Sequence, residues 1–125
     1  MRFFSIAILS FILIIVSCDK DDNKIEYDEA YKYPVAAFDY TGNDGPAPVS
    51  IQFTNYSESI NPDSVNYLWI FGENGPESEE KNPIHTFYNN TNNGITKQIT
   101  LRVFDQVSGY SQARSIAIVI APANK

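Results

Sequence analysis

Two residues could supply chemistry that no other side chain in this sequence offers: Cys18, the only thiol, and His85, the only imidazole. A thiol can act as nucleophile, metal ligand or acyl acceptor. An imidazole can bind a metal or move a proton near neutral pH. Neither has partners at a metal-ligand or catalytic spacing, and no Gly-x-Ser-x-Gly element occurs. Carboxylates are plentiful at Glu73, Glu77, Glu79, Glu80 and Asp105. Paired carboxylates can hydrolyse glycosides, and clustered ones can hold calcium. No spaced oxygen-ligand loop of the EF-hand kind is present, however, and Glu77-Ser78-Glu79-Glu80 reads as a solvated loop. The expectation is a non-catalytic chain with no metal site; the carboxylates leave calcium possible, but no ligand pattern supports it. Tyr56, Tyr88 and Tyr110 are the side chains best suited to stack on sugar rings, because a phenol has an apolar face and a polar tip.

The element around Cys18 says what its thiol is for. Arg2 is followed by an apolar run from Phe3 to Val16, broken only by Ser5 and Ser10. Crossing a hydrocarbon core of about 30 Å takes about 20 residues, so the run suits a signal-peptide core better than a membrane span. It ends in Ile15-Val16-Ser17-Cys18. That tetrad resembles the lipobox of bacterial lipoproteins, with an aliphatic residue, a small or aliphatic one, a small one and then Cys. The resemblance implies that Ile15, Val16 and Ser17 are read by the signal peptidase and that residues 1–17 are removed. Cys18 would then carry diacylglycerol and an N-acyl chain, making the membrane a partner and covalent lipid the only cofactor-like group. Residues 18–32 are polar and charged and read as a flexible acidic tether. Within them Lys20-Asp21-Asp22 resembles a short signal that sends some lipoproteins to the outer face of the outer membrane in Gram-negative bacteria.

From Tyr33 onward the pattern changes to short alternating segments divided by Gly, Pro, Asn and Asp, which predicts strands in a sandwich or barrel. Ala36, Phe38 and Tyr40 share one face of a first strand. Val49, Ile51 and Phe53 alternate with Ser50, Gln52 and Thr54 in a second. Val65, Tyr67, Trp69 and Phe71 line a third, after a turn at Asn61-Pro62-Asp63-Ser64. Ile84 to Tyr88 forms a short strand, and Ile99, Leu101 and Val103 mark another. Ala113 to Ile120 is apolar on both parities toward its end, which leaves its register open. Aromatics make up 14% of the chain and favour strands over helices. Asp63-Ser64-Val65 also matches a three-residue bacterial O-glycosylation pattern, too short to carry weight.

Trp69-Ile70-Phe71-Gly72-Glu73-Asn74-Gly75, Ser78 and Asn82-Pro83-Ile84-His85-Thr86-Phe87 together resemble the signature of PKD domains. In that family a Trp-x-Phe-Gly-Asp-Gly run precedes a Ser and a Pro-x-His-x-Tyr element. The resemblance spans residues 33–121, leaving 122–125 as a tail. It implies an all-β, immunoglobulin-like sandwich of about seven strands in two sheets, used extracellularly for protein or carbohydrate interaction or as a spacer. Trp69, Phe71, Gly72, Gly75, Pro83, His85 and Phe87 are its structural signature. Trp69 and Phe71 are two apart, so both rings can enter a core. Gly72 and Gly75 are expected to adopt angles that other residues resist. His85 is expected to be packed and hydrogen-bonded between the sheets. The chain departs from the pattern in a loop one residue longer, Glu73-Asn74-Gly75, and in Ile70 where a polar residue is usual.

That last departure puts Leu68 and Ile70 on the strand face opposite Trp69, and Phe104 has the same outward parity on its own strand. The three are a candidate binding patch, because exposed apolar clusters mark interaction sites. The net charge of −6, without a basic stripe, argues against nucleic acid as a partner. The expected function is a surface-displayed interaction or spacer module taking a protein partner. The alternative is a glycan-binding accessory to polysaccharide uptake or degradation.

Overall fold

The computed structural model describes residues 33–124. The tetrad Ile15–Cys18 and the Lys20-Asp21-Asp22 cluster lie outside the described residues. Seven strands follow in order: β1 (Phe38–Thr41), β2 (Val49–Asn55), β3 (Val65–Phe71), β4 (Glu77–Ser78), β5 (Ile84–Phe87), β6 (Ile95–Asp105) and β7 (Ser111–Ile120). They form two antiparallel sheets, ordered β1-β2-β5 and β4-β3-β6-β7. This is a β-sandwich, one of the two architectures that the alternation allows and the one that the family resemblance implies.

Period-two patterning sets the register. Val49, Ile51 and Phe53 are buried while the residues between them are exposed or half-buried. Trp69 pairs with Leu101 and Phe71 with Ile99, which brings four buried side chains onto the inner face of one sheet. In β7 the pairing Ile99↔Ile116 turns Ile116, Ile118 and Ile120 inward, which settles the register that the sequence leaves open.

Between the sheets the core is aromatic. Trp69 is 0% exposed, and its ring meets Phe38 edge-on at 5.0 Å and Phe53 at 5.4 Å. Each such ring pair adds about 0.5–1.5 kcal/mol beyond area burial. Its indole Nε1 donates to the Glu80 carbonyl at 2.9 Å, so the buried N–H is satisfied.

Several sequence expectations need correction. Glu77-Ser78 is not solvated loop but edge strand β4, paired with Ile70 and Trp69. The turn expected at Asn61-Pro62-Asp63-Ser64 is present, as a 3-10 turn over Pro62–Ser64. Gly72 does hold a positive φ of 102°, but Gly75 does not; the second left-handed residue is Asn74, at 52°. Gly75 is needed for another reason, since a Cβ there would lie 2.2 Å from the Phe71 carbonyl oxygen.

Candidate functional site

Asp105 can be assigned first, because its environment removes it from the set of metal-ligand candidates. Its side chain is fully buried at the end of β6. One carboxylate oxygen accepts from the Ser59 hydroxyl at 2.8 Å and the Asn61 amide at 2.9 Å. The other accepts from the backbone N–H of Val107 and Ser108. The Asn61 hydrogen bond, followed by those from Ser59, Ser108 and Val107, holds this carboxyl far below the usual carboxylate range against the opposing effect of burial. Asp105 therefore pins the β6–β7 turn to the segment entering β3. Among the described residues, no three His, Cys, Asp or Glu side chains gather to hold a metal ion.

His85 is packed as expected, but it makes no side-chain hydrogen bond among the described residues. Its ring lies parallel to Phe71, 4.2 Å away, and meets Phe87 edge-on at 4.6 Å. Burial pushes its pKa below the ordinary histidine value, so at neutral pH it is an uncharged ring.

Beside it opens a hollow of about 310 Å³ between the end of β3, strand β5 and the start of β6. Phe71, Phe87 and Pro76 give it an apolar lining, and His85 and Tyr88 add two further rings. Tyr88 is 67% exposed. Thr86 and Lys97 supply the polar groups, the Thr86 hydroxyl also pairing with Ser50 at 2.7 Å. Of the three tyrosines suited to stacking, only Tyr88 stands here. Tyr56 follows the end of β2, and Tyr110 lies in the β6–β7 connection with its ring 4.4 Å from Tyr33.

Sequence reasoning overlooked Lys97. The signal was present: in β6 it has the same parity as Ile95, Ile99 and Leu101, all of which face the core side. A charge on the apolar parity of a strand marks either the strand's end or an opening.

The candidate patch lies on the other side of Gly72. Leu68 and Ile70 are half-buried on the outward face of the four-stranded sheet, paired across strands with Arg102 and Thr100. Phe104 is 43% exposed and sits opposite Asn66. Polar side chains thus interleave with the three apolar ones. Ile70 lines a second, wider hollow of about 360 Å³ with Gly72, Glu73, Asn74, Gln98 and Thr100.

No protein-family model matches the chain, and no curated protein matches it. Among solved structures, one described as a carbohydrate-binding module of the β-sandwich superfamily, with promiscuous specificity, superposes with a TM-score of 0.58 at 25% sequence identity. The match covers 75% of this chain and 36% of that one, so this chain spans well under half of its neighbour. The two share an all-β sandwich.

Proposed function

We propose that this chain is a lipid-anchored, non-catalytic binding module of the PKD type that takes a glycan in the hollow beside His85 and Tyr88. The observation that carries the reading is the open Tyr88 ring, next to a second ring and two polar groups in one concave site. A pyranose presents an apolar C–H face and a rim of hydroxyls. Such a ligand needs an aromatic surface together with a few placed hydrogen-bonding groups. The carbohydrate-binding neighbour supports the same class. The sheet order β1-β2-β5 against β4-β3-β6-β7 supports the immunoglobulin-like form of the PKD resemblance. Display at the outer membrane is proposed from Ile15-Val16-Ser17-Cys18 and from Lys20-Asp21-Asp22 alone.

A glycan panel presented to the full chain in detergent tests this reading. Tyr88→Ala should weaken a saturable hit about tenfold, the value of one stacked ring contact, while Tyr56→Ala leaves it unchanged. A folded chain that binds nothing in a broad panel refutes the proposal. A protein partner is the second reading, favoured by the exposure of Phe104 on a central strand. Loss of capture in a folded Leu68→Ser, Ile70→Ser variant would speak for it.

A further inference from the structure

Within the glycan-binding hollow, one group goes beyond what recognition of a neutral sugar requires. Lys97 lines it, and no carboxylate does. Lys97 has no ion-pair partner among the described residues. Glu73, on the loop that borders the hollow through Pro76, lines the other hollow instead. The chain as a whole carries a net charge of −6, so its overall field repels anions. An ammonium with no ion-pair partner among the described residues, in the same hollow as the exposed Tyr88, is a local exception to that field.

A purely structural role accounts for only part of this side chain. Its stem covers Gly72, with Cδ 3.4 Å from where a Cβ on that residue would lie. Long cationic side chains often cover backbone in this way while the head reaches water. Packing of that kind needs the methylenes and not the charge. The charge is left over from that packing role and is available to an anion entering the hollow.

We infer that the hollow selects acidic glycans, Lys97 receiving a sugar carboxylate while the rings of Tyr88 and His85 hold the pyranose. This rests on the glycan-binding reading. The ligand class is an oligosaccharide containing uronic acid, whose carboxylate is a compact anion at neutral pH and suits a point-charge donor.

The test compares an oligogalacturonate with its methyl ester, which removes the charge and adds one methyl group at each carboxyl, on the full chain and two variants. Lys97→Met keeps the stem and removes the charge; Lys97→Arg keeps the charge. The acid should bind about tenfold more tightly than the ester, as one partly exposed charge-assisted contact gives. Lys97→Met should abolish that difference, Lys97→Arg should retain most of it, and added salt should shrink it. Equal binding of acid and ester, unchanged in Lys97→Met, overturns charge selection and leaves glycan binding standing. If a folded wild-type chain binds neither form, nor any neutral glycan, the glycan reading falls and this inference with it.

Discussion

Replacing Gly75 with Ala should be the most damaging single-methyl change in the loop that separates the two hollows. The added Cβ would lie 2.2 Å from the Phe71 carbonyl oxygen, 2.8 Å from its carbon and 3.0 Å from the Gly72 oxygen. A carbon–oxygen contact settles near roughly 3.3–3.6 Å, so the loop must move by about 1 Å. All three obstructing atoms are backbone, and no side chain can swing aside. Moving the loop strains the Gly75 N–H bond to the Gly72 carbonyl and the Phe71 N–H bond to the Pro76 carbonyl. Two such bonds at about 1 kcal/mol each, with overpacking of about 1–3, give a loss of about 2–4 kcal/mol where strain and bond loss partly substitute for one another. For a domain of this size that lowers the melting temperature by roughly 10–25 °C. Gly72→Ala has space, its nearest neighbour being the Lys97 side chain at 3.4 Å, and bears mainly the left-handed backbone cost of about 1–2 kcal/mol. Gly45→Ala meets nothing within 4 Å and serves as the control. Thermal unfolding followed by circular dichroism should rank the losses 75, then 72, then 45. A Gly75→Ala melting point within about 3 °C of wild type, or a larger loss at 72, would refute the steric reasoning.

Trp69→Ala should cost about 3–5 kcal/mol in chemical denaturation, because it empties the centre of the aromatic core; a loss under about 1 kcal/mol would mean that the core recloses around it. Asp105 has a depressed carboxyl pKa in the fold, so its stabilisation is complete above the unfolded value of about 3.9 and declines as pH falls below it. Melts of Asp105→Asn should therefore start lower at pH 7 and fall less on acidification than those of wild type. His85 is also depressed, so the folded state resists its protonation and stability should drop as pH falls below about 6.5. His85→Phe should remove that part of the pH dependence while leaving the acid limb due to Asp105. Cys18→Ser should move the chain out of the membrane fraction and abolish incorporation of labelled fatty acid; retention of both would exclude lipidation at this residue.

Much of the architecture was legible in the sequence because strand alternation is a local property. Val49, Ile51 and Phe53, or Ile99, Leu101 and Val103, declare their buried face without reference to any partner. Trp69 and Phe71 likewise announced themselves as core by being two apart. Proposed lipidation of Cys18 rests on the chain order alone, since a peptidase reads an extended segment before any folding. Other features depend on residues far apart in sequence. Asp105 looked like one carboxylate among many until Ser59 and Asn61 were brought to it across more than forty positions. Gly75 looked like a residue needed for its backbone angles until the Phe71 carbonyl was placed against it. The hollow itself belongs to no segment: β3 contributes Phe71, β5 contributes His85 and Phe87, and β6 contributes Lys97. Period-two patterning says which way a side chain points, but only the packing of one sheet on the other decides what it meets there.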